Sequence, residues 1–109
     1  MQNFDVALMP NQYVIRYLPI AQDDLINIYD WIAKDSPARA SSLVEKVDKR
    51  IGALAQSPFL GRVPRHPRLQ EYEYRTLILD SYLVFYKIRN QVIEIHRVVH
   101  ASRNLDHLI

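Results

Sequence analysis

SYLVFYKIRNQVIEIHRVVHASRN, residues 81–104, is the stretch that decides how this chain folds. Two runs dense in β-branched and aromatic residues, 82–88 and 92–99, are separated by three polar ones, Arg89, Asn90 and Gln91. Asn tolerates positive φ, so Asn90 can occupy the tight connection that two adjacent antiparallel strands need. The second run leads into His96, Arg97, His100 and Arg103, a cationic cluster at the end of a stiff hairpin.

Upstream of the hairpin, residues 72–79 alternate Tyr72, Tyr74, Thr76 and Ile78 with Glu73, Arg75, Leu77 and Leu79, which reads as a strand turned into the hairpin by Asp80 and Ser81. Residues 59–69, FLGRVPRHPRL, contain a Gly and two prolines and are expected to lack regular structure. Within 62–68 they hold three arginines, one histidine and no acid. This loop is either a solvated connector or a surface that meets a phosphate or an acidic partner.

The first half is helical in pattern. Ala21, Leu25, Ile28 and Ile32 recur at helical spacing after Pro19, which suits the first turn of a helix, and Asp23 and Asp24 follow near the positive end of its dipole. Ile26, Tyr29 and Trp31 widen this apolar stripe beyond one core contact, so it is buried on two sides or meets a second partner. Asp35, Ser36 and Pro37 break and restart the chain, with Ser36 placed to cap a second helix running to Ala55 on the stripe Ala40, Leu43, Val44, Val47, Ile51 and Leu54. So short a break makes the two helices an antiparallel hairpin. Residues 12–18 are expected to form a short first strand, and residues 1–11, without periodicity, are expected to be a flexible arm. Strand, helix, helix and a three-strand meander give an α+β fold, a helical hairpin packed on an antiparallel sheet.

With 109 residues and no cysteine, the chain is expected to be a single domain, 1–109, that buries roughly 65% of its unfolded surface without disulfides or thiolate metal sites. No stretch approaches the roughly 18 apolar residues of a membrane span, and the expected location is cytoplasmic. The formal charge of +2 is uneven: residues 1–57 carry six Lys or Arg against seven Asp or Glu, residues 58–109 eight against five. The C-terminal half is thus either the anion-facing one or a set of strands and loops that carry solvated basic residues. With only Gly52 and Gly61, a phosphate-cradling Gly-rich loop is ruled out, and no cofactor is expected. His96 and His100 are four apart, but on and just beyond a strand, where that spacing does not make a metal site.

The chemistry that remains is cationic: Arg75, His96, Arg97, His100 and Arg103. Such a set can stabilise a phosphorane-like transition state and trade protons with an RNA 2′-hydroxyl, or bind an acidic protein surface through bidentate arginines. Composition leaves both open. Tyr72, Tyr74, Tyr82 and Tyr86 read as half-buried packing residues before base-stacking ones, and a mid-strand His96 as a satisfied structural histidine before a catalyst.

An ordered series of short pieces resembles the RelE/ParE superfamily of type II toxin–antitoxin toxins, and its ParE branch in particular. They are Tyr13-x-Ile15, Pro19-x-Ala21-x-x-Asp24-Leu25-x-x-Ile28-x-x-Trp31-Ile32, Ser36-Pro37-x-x-Ala40, Leu54 with Pro58 and Gly61-Arg62, Tyr74-Arg75-x-Leu77, Tyr82-x-x-Phe85-Tyr86 and Val92-x-x-x-x-Arg97-Val98-x-His100-x-x-Arg103. The resemblance implies a toxin of a plasmid-stabilisation module, neutralised by a cognate antitoxin, which would account for the surplus apolar surface at Leu25, Ile28, Tyr29, Trp31 and Ile32. RelE-like ribosome-dependent mRNA endonucleases keep an arginine directly after the tyrosine that opens the third strand, where this chain has Leu83. Losing such a cation costs roughly 3–4 kcal/mol of transition-state stabilisation. ParE-like toxins instead trap DNA gyrase on cleaved DNA, a target met by a surface, and Arg62, Arg65, Arg75, Arg97, His100 and Arg103 are the residues expected to meet it. The alternatives are an mRNA endonuclease using Arg75, Tyr86, His96 and Arg97, and a toxin-fold binding module without toxicity.

Overall fold

The computed structural model describes residues 12–102; the N-terminal arm 1–11 and the candidate Arg103 lie outside the described residues. β1 (Val14–Tyr17) leads into α1 (Pro19–Ala33), α2 (Pro37–Gly52) and a 3₁₀ turn (Ala53–Ala55). A short helix α3 (Pro67–Glu71) precedes β2 (Arg75–Leu79), β3 (Tyr82–Arg89) and β4 (Val92–His100).

The helical hairpin forms where the breakers place it. Pro19 opens α1, and Ser36 caps α2 by accepting the Arg39 N–H on its hydroxyl at 3.2 Å. α2 gives way to the 3₁₀ turn three residues before the expected end at Ala55. Ala40, Val47, Ile51 and Leu54 of the predicted stripe are buried, as is Ala21 of α1. Ala21, Val47, Ile51 and Leu54 pack on Leu77, Leu79, Val84, Tyr86, Ile93, Ile95 and Val98 from one face of the sheet, with Leu25 and Ile28 half-buried at the margin.

The sheet order is β1-β4-β3-β2. The three C-terminal strands form the antiparallel meander, with Asn90 at φ 58° in the β3–β4 turn and Asp80 at φ 54° in the β2–β3 turn. β1 joins the last strand in parallel, Val14 opposite Val92 and Tyr17 opposite Ile95, so the sheet is mixed rather than antiparallel throughout. The pairing of β3 with β4 shifts register by one residue: Phe85 faces Arg97 and Tyr86 faces Ile95, which leaves His96 as the extra residue of a β-bulge.

The outer face of the sheet carries a second, smaller cluster of Leu69, Phe85 and Val99, with Tyr74 and Leu83 packed against it. Leu69 comes from α3, which begins inside the stretch expected to be irregular. That expectation weighed the prolines as breakers, whereas Pro67 sits at the first helical position and His66 caps the turn by accepting the Arg68 N–H at 3.3 Å. Tyr72 caps the end of α3 and Glu73 has φ 62°, so β2 starts at Arg75 and not at 72.

Candidate functional site

β1 ends at its last bond to β4, Leu18 N–H to Ile95 O at 3.0 Å, and beyond it the edge of β4 is left to α1. Asp24 fills the gap. Its carboxylate accepts Nε–H and Nη2–H of Arg97 at 2.8 and 2.9 Å and the Val98 N–H at 2.9 Å. The pair is largely shielded from solvent, with 15% and 11% of the two side chains exposed. Hydrogen bonding to Asp24, against the cost of burial, raises the already high proton affinity of the Arg97 guanidinium. Arg97, expected to meet a target, is thus committed to helix-to-strand closure.

Tyr86 is equally committed. Its hydroxyl lies in the core, accepts the Gly61 N–H at 2.9 Å and donates to the Pro58 carbonyl at 2.8 Å. Burial pushes its pKa up against the opposing pull of Gly61 and Arg75. Arg75 donates its Nε–H to the Gly61 carbonyl at 3.2 Å and stacks 5.0 Å from the Phe59 ring centre. Together they fasten the basic loop to the sheet, and Gln70 adds a bond to the Pro64 carbonyl at 2.7 Å.

His96 stands apart from both. One ring nitrogen, Nδ1, is 3.2 Å from the Tyr74 hydroxyl and the other, Nε2, 3.2 Å from Oε1 of Glu94, which also accepts from Arg89 at 3.0 Å. A neutral ring bonded to Tyr74 and donating to Glu94 satisfies every group. Burial lowers the His96 pKa, helped by the Lys87 and Arg89 charges and opposed by Glu94. Burial alone would raise Glu94, but its bonds to His96 and Arg89 hold it below the usual carboxylate value. Lys87 lies 4.6 Å over the Tyr74 ring. The four residues of the nuclease reading therefore fall in three settings: Arg75 and Tyr86 together at Gly61, His96 between Tyr74 and Glu94, and Arg97 on Asp24.

What the chain does present is grooves. One of about 640 Å³ runs between the helical hairpin and the β2–β3 turn, lined by Trp31, Ile32, Leu43, Arg39, Tyr82 and His100 among others. Another of about 320 Å³ adjoins it through Trp31, Tyr82 and His100 and reaches Ile28 and Asn27. Trp31 is 71% exposed between them, with Lys34 5.1 Å over its ring. Lys46 and Asp80 close the first groove with an exposed ion pair at 2.9 Å. Ile28, Trp31 and Ile32 of the surplus stripe line these grooves; Leu25 packs inward and Tyr29 lines neither. Tyr82, Leu43 and Arg39 come from other elements, and sequence spacing along α1 carries no signal for them.

A third groove, of about 370 Å³, lies on the outer face beside the basic loop, between exposed Arg62 and Arg65 and the apolar Val63, Ile78, Leu83 and Phe85. Thr76 also lines it, and its buried hydroxyl has no hydrogen-bond partner among the described residues. Leu83, where a nuclease of this fold would keep its arginine, belongs to this apolar wall. Among the described residues no group of three His, Cys, Asp or Glu could hold a metal ion, and no helix is long and apolar enough to cross a membrane.

Among curated proteins none matches the sequence significantly. Among solved structures, a chain of the chromosomal ParDE toxin–antitoxin system from P. aeruginosa is similar at 22% identity and a TM-score of 0.71, covering 84% of this chain and 99% of that one. A chain of the RelBE2 toxin–antitoxin complex from Mycobacterium tuberculosis is similar at 23% identity and a TM-score of 0.56, covering 84% and 94%. At these identities the likeness speaks for the fold. The family assignment comes from the sequence profile, which matches over residues 15–105: the chain belongs to the ParE toxin family of type II toxin–antitoxin systems, parDE.

Proposed function

We propose that this toxin acts by binding DNA gyrase and blocking replication, and that a cognate antitoxin holds it inactive within a plasmid-stabilisation module. The observation that carries this reading is that the would-be catalytic residues are committed to structural contacts. Arg97 is bound to Asp24, Tyr86 is buried against Gly61 and Pro58, and Leu83 stands in an apolar wall. A molecule built this way works through surfaces, and gyrase inhibition requires no acid–base pair. Arg62, Arg65, Arg75 and His100 remain the target-facing residues of this reading. The antitoxin covers the grooves around Trp31, whose apolar walls and cationic rim of Lys34, Arg39 and Lys46 suit an amphipathic acidic helix.

Purified protein added to a gyrase supercoiling reaction tests the reading. Loss of supercoiling with accumulation of cleaved DNA is expected. Growth arrest without either effect, together with new cuts in mapped transcripts, would replace it by the mRNA endonuclease reading; normal growth without antitoxin would leave a toxin-fold binding module.

A further inference from the structure

The groove between the helical hairpin and the β2–β3 turn, about 640 Å³, falls within the roughly 300–1,000 Å³ of small-molecule sites, and its walls are of three chemical kinds. Trp31 is the aromatic one. It is the only tryptophan of the chain, 71% of it is exposed, and among the described residues no other aromatic ring packs on it. The cationic wall is Arg39 and Lys46, which with Ser42 follow one another at i, i+3 and i+7 on one face of α2. Arg39 makes no ion pair among the described residues, and Lys46 spends both its contacts, at 2.9 and 3.1 Å, on the single carboxylate of Asp80. The third wall is polar and neutral. The hydroxyls of Ser42 and Ser81 make no hydrogen bond among the described residues, and His100 accepts the Ser102 N–H on Nδ1 at 3.1 Å, which leaves Nε2 as the donor of its ring.

These walls select a ligand by its parts. An unpartnered indole takes a planar ring by stacking. A guanidinium, an ammonium and two hydroxyls take phosphate oxygens through charge-assisted hydrogen bonds. The Asp80 carboxylate has lone pairs beyond those that Lys46 uses, and they suit the hydroxyls of a sugar. A nucleic-acid strand fits less well, because one platform and one cationic pair match one base and one phosphate group, and the Asp80 charge repels a continuing phosphate backbone. We propose that this groove binds a purine nucleoside phosphate, with the base on Trp31 and the phosphates between Arg39 and Lys46. Side chains do the holding, in a chain whose only glycines are Gly52 and Gly61. The antitoxin is assigned to the same groove, so nucleotide and antitoxin exclude one another and the free toxin rises with nucleotide concentration. That competition rests on the antitoxin reading; the nucleotide site stands without it.

Because Trp31 is the sole tryptophan, the intrinsic fluorescence of the full chain reads the site directly. ATP and adenosine are titrated into the purified toxin. Saturable quenching by ATP is expected, with adenosine binding about tenfold more weakly for want of the charge-assisted bonds to phosphate. Arg39→Gln and Lys46→Gln, both at exposed positions, should each weaken ATP by about tenfold while leaving adenosine affinity and the thermal midpoint unchanged. The proposal is overturned by ATP that fails to quench at millimolar concentration, by adenosine that binds as tightly as ATP, by ATP affinity unchanged in both variants, or by an oligoadenylate that binds more tightly than ATP. A last titration adds the antitoxin from the adjacent reading frame, whose apparent affinity ATP is expected to lower. Quenching by ATP with no such competition would overturn the antitoxin's place in this groove and leave the nucleotide site standing.

Discussion

Asp24 and Arg97 join the first helix to the last strand through two parallel hydrogen bonds of 2.8 and 2.9 Å, across 73 residues of sequence. The carboxylate also takes the Val98 N–H, so it does at the β4 edge what a longer β1 would have done. Removing one partner leaves the other charge shielded and unpaired, at a cost of about 3 kcal/mol. Arg97→Ala and Asp24→Asn are each expected to lower the thermal midpoint by roughly 10–20 °C. The double variant D24L/R97M should recover part of that loss, because neither charge is then stranded. Thermal unfolding of the three variants measures this directly, and equal losses for single and double variants would contradict it.

Tyr86 and Gly61 form a second long-range contact with a sharper steric signature. A Cβ on Gly61 would stand 2.6 Å from the Tyr86 hydroxyl oxygen and 2.9 Å from the Thr76 carbonyl, the latter being backbone that cannot step aside cheaply. Gly61→Ala is expected to destabilise by about 1–3 kcal/mol. Tyr86→Phe keeps the ring but strands the Gly61 N–H and the Pro58 carbonyl, again at about 1–3 kcal/mol. Both should loosen the basic loop, seen as faster amide exchange at Arg62 and Thr76 in denaturant-free buffer.

These contacts also explain which parts of the chain were legible in sequence. Ser36, Pro37 and Asn90 work locally, through a cap, a fixed φ and a positive φ, and each sits where its chemistry places it. The core stripes follow from period alone. The destiny of Arg97, Tyr86 and His96 does not, because it depends on partners 73, 25 and 22 residues away, and a strand cation reads the same whether it faces solvent or a carboxylate. The bulge at His96 is a mismatch between two strands and cannot be seen in either one. Pro67 misled for another reason: a proline that opens a helix and one that prevents it look alike until Leu69 is known to have a cluster to enter.

His96 links stability to pH. Folded, its ring is held below its ordinary 6.5 by burial, so the unfolded chain takes up a proton at a higher pH than the native one. Its contribution is therefore full above about pH 6.5 and is lost as pH falls toward the folded value. Glu94, held below its usual 4.5, acts in the same direction but at lower pH. Urea midpoints between pH 7.5 and 5 are expected to fall for the parent chain and to flatten for His96→Gln. An unchanged slope in that variant would assign the effect to another group.

Trp31 is the residue whose substitution separates binding from folding. With 71% of its surface exposed, it contributes little to the core, and Trp31→Ala should shift unfolding by no more than about 0.5 kcal/mol. At the junction of two grooves, however, it is the aromatic anchor of the proposed antitoxin site, and losing such an anchor costs about 2 kcal/mol or more, roughly thirtyfold in affinity. The neighbouring rim cations give an independent handle: Arg39→Glu reverses charge on the groove wall without touching Trp31 and should slow association more than it speeds dissociation, most visibly at low salt. Surface plasmon resonance against the antitoxin purified from the adjacent reading frame measures both variants. If Trp31→Ala binds like the parent, the antitoxin uses another face of the molecule, and the exposed tryptophan must then be assigned to the target.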